Sequence, residues 1–298
     1  MDTPQATDSY GFPIVSIEAL AQIAPKARAT HYRYNGAHFL YKTASFCAEK
    51  TQSDPLNALS NKTDRLVVVF HGAAAPTVKR PIFRCYNTPF TVDLLSISDI
   101  LMDTNKQLTK TWYSSTAKHD YLAIYKEIIA HFVTLYPHIV FFGTSAGGLP
   151  ALYFASIFHK VCLFSNSQLY PVSYYEVVKE INKILAKEDD QLAHIDIDAT
   201  MAITVPLHVH MYINKADDHH YTFHATPFLQ MCERIGYDLR VTQFVKKSAK
   251  PHNEQFTKCY VSCIMDCFRV YGWLVQSIIV ILMIASPPCD ECRSSPHL

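Results

Sequence analysis

The sequence predicts an α/β fold, a mostly parallel sheet with helices on both faces. Three observations carry that prediction. Short apolar runs such as RLVVVFH (65–71), HIVFF (138–142), KVCLF (160–164) and LHVHMYI (207–213) suit strands buried on both faces. Segments of helical spacing separate them. At 298 residues with 49% hydrophobic content, the chain is long enough for one sizeable core.

Taken in order, residues 1–29 are polar and Ala-rich, with Pro4, Gly11, Pro13 and Pro25, and read as a loosely packed lead-in. HYRYNGAHFLYK (31–42) places aromatics around Asn35-Gly36, the favoured pair of a two-residue turn, and predicts a β-hairpin. Residues 48–64 read as a loop. RLVVVFH is the first buried strand, and DLLSIS (93–98) a weaker one. Tyr121, Ile124, Tyr125, Ile128, Ile129, Phe132 and Tyr136 form one stripe at 3.6-residue spacing, hence an amphipathic helix. After the strand at 160–164 come a helix at 174–187, the strand at 207–213, a helix at 225–235 and a strand at 238–245. The apolar run 270–285 reads as a C-terminal helix. It is short of the span of about 20 residues that crosses a bilayer. Its alternatives are core docking, an oligomer interface or a membrane contact. The expected organisation is a lead-in (1–29), a catalytic domain (30–268) and an apolar helical tail with a polar end (269–298).

Charge narrows the function. The net charge of +1 lacks the basic excess of a generic nucleic-acid binder. Nine cysteines, an odd count, do not suggest a disulfide scaffold, and the N-terminus lacks a signal-peptide pattern. The expectation is reduced thiols and a cytoplasmic protein, with membrane association only through the tail.

Glycine is scarce: 8 residues, where average usage of about 7% gives roughly 20. Three of the eight lie in Gly143-Thr144-Ser145-Ala146-Gly147-Gly148, after an apolar strand and before a helix. That is a G-x-S-x-G pattern in the context of a nucleophile elbow, which lifts a serine hydroxyl above a sheet. No lysine follows, as it would in a phosphate-binding loop. Ser145 is the expected nucleophile. A serine needs a base and the base an orienting carboxylate, in the chain order Ser, Asp, His. Asp217 or Asp218 follows the strand at 207–213, and Asp217 is favoured because it leaves a short loop. His252, in KKSAKPHNEQF after the last strand, takes the base position. Ala146 N–H is one oxyanion donor. His71-Gly72-Ala73 ends the first buried strand, so the Ala73 or Gly72 amide is the second. His71 either lines the pocket or packs in the core. Asn166, Gln168 and Trp112 are candidate substrate contacts, and Asp99 with Tyr113 reads as fold-stabilising. His208, His210, His219, His220 and His224 lack a metal-site pattern, as does the single Cys289–Cys292 pair, so no metal is expected. Cys259, Cys263 and Cys267 share one helical face and read as packing thiols.

HGA after a strand, GTSAGG at an elbow, a late NxxD and a final PHNE resemble the α/β-hydrolase superfamily over about residues 65–268. The HGGG-type loop of common lipases is absent. The chain is more similar to a bacterial group found with surface-polysaccharide biosynthesis, which has G-x-S-x-G-G elbows and a late D-x-x-H. That group includes capsule O-acetyltransferases. The resemblance implies acyl-serine chemistry on an acyl ester or thioester, through ester hydrolysis or transfer of an acyl group to a polysaccharide acceptor. No cofactor is implied, and acetyl-CoA would be a co-substrate of the transferase. Ala73-Ala74-Ala75 and the apolar tail depart from the pattern. The competing reading is a non-catalytic binding protein on the same scaffold.

Overall fold

The computed structural model describes residues 7, 13–16, 29–44, 63–85, 91–245 and 263–268. An eight-stranded sheet organises them, in the order β1-β2-β4-β3-β6-β7-β9-β10. Its strands are β1 (Thr30–Tyr34), β2 (Ala37–Lys42), β3 (Arg65–Phe70), β4 (Asp93–Ile97), β6 (His138–Thr144), β7 (Val161–Ser165), β9 (His208–Asn214) and β10 (Arg240–Phe244). β1 and β2 form the antiparallel hairpin, and β2 joins β4 antiparallel. From β4 to β10 every pairing is parallel. A second, two-stranded sheet pairs β5 (Ser115–Thr116) with β8 (Leu192–Ala193).

The apolar runs are continuous because both faces are covered. In β3, Leu66, Val68 and Phe70 enter one core while Val67 and Val69 enter the other, as period-two alternation requires. The larger core takes α2 (Tyr121–Leu135), α3 (Gly148–Ile157), α5 (Ile197–Ile203) and α6 (Thr226–Ile235). The smaller core takes Cys263, Ile264, Cys267 and Phe268 from the helical residues 263–268. Cys263 and Cys267 are thus buried packing thiols, and Cys263 Sγ accepts from the Tyr212 hydroxyl at 2.9 Å. Two further helices, α1 (Ile100–Thr104) and α4 (Tyr175–Leu185), flank the site described below.

Some boundaries differ from the sequence reading. The lead-in is partly tied down, because Val15 is buried and its amide donates to Arg33 O of β1. A π-helical turn at Tyr221–Ala225 precedes α6. Asn35 and Gly36 both take positive φ, as the predicted turn demands. The 270–285 segment, Cys259, Cys289 and Cys292 lie outside the described residues. No helix among the described residues is long and apolar enough to cross a membrane.

Candidate active site

The parallel strands deliver their C-terminal ends to one edge of the sheet, where α/β folds place their ligands. β6 ends at Thr144, and the chain turns through Ser145–Gly147 into α3. Ser145 sits at φ +54°, a left-handed conformation unusual for a side-chain-bearing residue. The glycines explain how so sharp a turn fits. A Cβ on Gly143 would lie 2.0 Å from Gly147 O, and one on Gly147 2.4 Å from Phe70 O. One on Gly148 would lie 1.8 Å from Ser167 Oγ. Gly72 faces the serine itself, since its Cβ would stand 3.2 Å from Ser145 Cβ. The next residue, Ala73, is exposed, and the Ala74 amide is engaged by Thr109 O at 2.8 Å.

Gln168, three residues past β7, clamps the serine twice. Its backbone N–H donates to Ser145 O at 2.9 Å, and its Nε2 donates to Ser145 Oγ at 3.2 Å. Trp112 sets the orientation of that amide. Its indole N–H is a donor only, and it donates to Gln168 Oε1 at 2.9 Å, which turns Nε2 toward the serine. Trp112 and Tyr113 both take positive φ. Asp99 holds them there. Its Oδ1 accepts from the Leu101 and Met102 amides at the start of α1, and its Oδ2 from Thr111 Oγ1 and the Tyr113 amide. Burial pushes the Asp99 carboxyl up to about 6.

His71 is held between Gly72 O (2.7 Å from Nδ1) and the Asp99 amide (3.2 Å from Nε2). Burial pushes its pKa down to about 4, so the ring is neutral and braces the end of β3 against the Asp99 turn. Asn166 is buried with φ +42°, and its Oδ1 accepts from the Asn214 amide at 2.8 Å, stitching the ends of β7 and β9.

Asp217 lies three residues beyond β9 and caps the short turn Asp218–His220. Its carboxylate, 6% exposed, accepts from His220 Nδ1 at 2.9 Å. The Tyr174 hydroxyl, 2.9 Å from His220 Nε2, completes that ring's bonding. Asp218 is exposed. Of the two aspartates the sequence left open, the buried and paired one is Asp217. His252 lies outside the described residues.

Sequence reasoning missed the wall beside Trp112. Tyr174 stands against His219, His220 and His224, with ring centroids 4.8, 6.3 and 5.4 Å away. His224 is fully buried between the Tyr170 amide and Ser173 Oγ, and burial pushes its pKa down to about 3. Lys110 Nζ lies 3.6 Å from the Tyr174 ring centroid and 5.4 Å from that of Trp112. Burial lowers its pKa to about 8. The histidines form no metal-binding group among the described residues. Their spacing after Asp217 was the available signal, since the residues from Asp217 to His224 form one short turn that packs as a unit.

Comparison with known proteins bears on the fold. No protein-family model and no curated protein matches the sequence. Among solved structures, the capsule O-acetyltransferase of Neisseria meningitidis serogroup A is similar, with a TM-score of 0.59 and 12% identity. The match covers 84% of this chain and 100% of that one. A mutant of that enzyme in complex with CoA matches over the same shares with a TM-score of 0.56 and 12% identity. A fluorophosphonate-binding serine hydrolase of Staphylococcus aureus matches at a TM-score of 0.48 and 10% identity, over 81% of this chain and 99% of that one. The chain therefore shares the fold of that O-acetyltransferase, a mostly parallel sheet with helices on both faces, and Ser145 stands at its strand-to-helix turn.

Proposed function

We propose that this chain is a serine acyl enzyme. The observation that carries the reading is Ser145 at φ +54° in a turn whose flanking glycines have no room for a Cβ. A backbone held so tightly around one hydroxyl serves that hydroxyl. In the proposed cycle His252 takes the Ser145 proton, with Asp217 as its orienting carboxylate. Ser145 attacks an acyl ester or thioester while the Ala146 amide and that of Ala73 or Gly72 hold the oxyanion. The acyl C–O or C–S bond breaks, the alcohol or thiol leaves with the proton His252 returns, and an acyl-enzyme results. Water or an acceptor hydroxyl then takes the acyl group. Likeness of fold over 84% of this chain to a capsule O-acetyltransferase, one form of it in complex with CoA, supports O-acyl transfer to a glycan with acetyl-CoA as donor, alongside simple ester hydrolysis.

A fluorophosphonate probe tests the nucleophile. Ser145 is labelled in the wild type, and labelling disappears in Ser145→Ala; an unlabelled wild type means a binding protein on this scaffold. Acceptor-dependent release of CoA from acetyl-CoA distinguishes transfer from hydrolysis. The Asp217–His220 pair adds a second candidate base. His252→Ala abolishes labelling under the first assignment. Labelling that survives His252→Ala and is lost in His220→Ala assigns the base to His220 instead.

A further inference from the structure

We propose that Lys110, seated between the rings of Trp112 and Tyr174, is an anion-binding subsite at the edge of the Ser145 site, made for a phosphate or carboxylate of the substrate. The proposal rests on the reading of Ser145 as nucleophile and specifies the substrate class.

Lysine normally extends its ammonium into water and buries only its stem. Here the ammonium is drawn back, half-buried, over Tyr174 at 3.6 Å and beside Trp112 at 5.4 Å. Ring faces attract it but leave its charge uncompensated. Among the described residues no carboxylate pairs with it: the nearby buried acid, Asp217, is engaged by His220 at 2.9 Å. The rest of this corner is imidazole. His224 is pushed down first by burial and then by the neighbouring His220, His219 and Lys110, which puts the cation among these rings. His219, 4.8 Å from Tyr174, keeps a buried Nε2 with no hydrogen-bond partner among the described residues. A half-buried cation held over aromatic faces, with no carboxylate partner among the described residues, suits an oxyanion group, and His219 Nε2 can join it only as the protonated nitrogen of its ring. The wall connects to the chemistry, because Trp112 holds Gln168 and Gln168 holds Ser145 Oγ. A group bound at Lys110 therefore stands one ring and one amide from the nucleophile.

Two substrates could carry the anion, the thioester donor or the acceptor, and paired probes separate them. In the donor arm, acetyl-CoA is compared with S-acetylpantetheine, the same thioester without the nucleotide phosphates. In the acceptor arm, p-nitrophenyl acetate supplies the acyl group and a hexose phosphate is compared with the methyl hexoside. Lys110→Met lowers the charged-to-neutral ratio of kcat/KM at least tenfold in one arm, mainly through KM, and Lys110→Arg keeps most of it. The arm affected identifies the bearer. Ratios within twofold of wild type in both arms overturn the proposal. Calorimetric titration of Ser145→Ala with inorganic phosphate gives a readout without chemistry: Kd rises at least tenfold when Lys110→Met is added, and equal affinities count against the subsite. That titration decides the matter for Lys110 even where fluorophosphonate labelling refutes the serine.

Discussion

Trp112 donates to Gln168 and Gln168 donates to Ser145, so the tryptophan decides which end of the amide meets the serine. Gln168→Glu keeps the acceptor that Trp112 needs but replaces the donor to Ser145 Oγ with a carboxylate oxygen. The serine proton would then be drawn to Glu rather than to the base. Fluorophosphonate labelling of Gln168→Glu should slow at least tenfold, with the circular dichroism spectrum unchanged; an undiminished rate would show that the amide plays no part. The glycines separate by cause. Gly143→Ala drives a methyl into backbone at 2.0 Å and should cost about 3 kcal/mol or more in urea unfolding. Gly36→Ala meets nothing within 4 Å and bears only its φ of +88°, about 1 kcal/mol. At this scale the tight turn around Ser145 and the buried Asp217 beyond β9 were legible as places in the chain, because a G-x-S-x-G pattern and a strand end mark them. The role of Gln168 was not, since it depends on a tryptophan 56 residues away that no local pattern links to it.

At the scale of elements, the strands declared themselves through unbroken apolar runs, and the helices through their stripes. The turn at 111–113 left no such trace. Its shape comes from Asp99, whose two oxygens accept four bonds from two different segments. Aspartate capping a helix is visible in sequence, but the same carboxylate reaching across to Thr111 and Tyr113 is a tertiary fact. All four partners donate, so Asp99→Asn turns an NH2 group against two donors. It should lose about 2 kcal/mol of stability in urea unfolding and slow Ser145 labelling through displaced Trp112. Equal labelling rates would mean that the turn does not govern the site. His208, His210, His219, His220 and His224 were weighed together as a metal set and lacked its pattern; the last three lie within six residues. Their closeness arises from one short turn packed against Tyr174, and His220 and His224 are saturated by hydrogen bonds.

For the whole molecule, buried neutral imidazoles set the acid limit. His71 and His224 are held down to about 4 and about 3, while unfolded histidine titrates near 6.5. Between those values the unfolded chain binds more protons, so stability falls as pH falls. From pH 7 to 5 each withdraws about 2 kcal/mol. Asp99, pushed up to about 6, acts oppositely and restores about 1 kcal/mol. His210, also pushed down to about 4, adds to the loss, which is readable as a lowered urea midpoint; an unchanged midpoint would mean that these rings titrate freely. One feature of the sheet edge reaches beyond catalysis. Among the described residues, four of the eight non-glycine positions with positive φ are Trp112, Tyr113, Ser145 and Asn166. Each is uphill by roughly 1 kcal/mol relative to a relaxed backbone. Elsewhere in the core a random substitution lowers stability. At Ser145, whose side chain is small, a glycine relieves that strain while removing the hydroxyl, so selection for thermal resistance alone does not protect it; at Trp112 and Tyr113, both 1% exposed, the lost packing outweighs the relief.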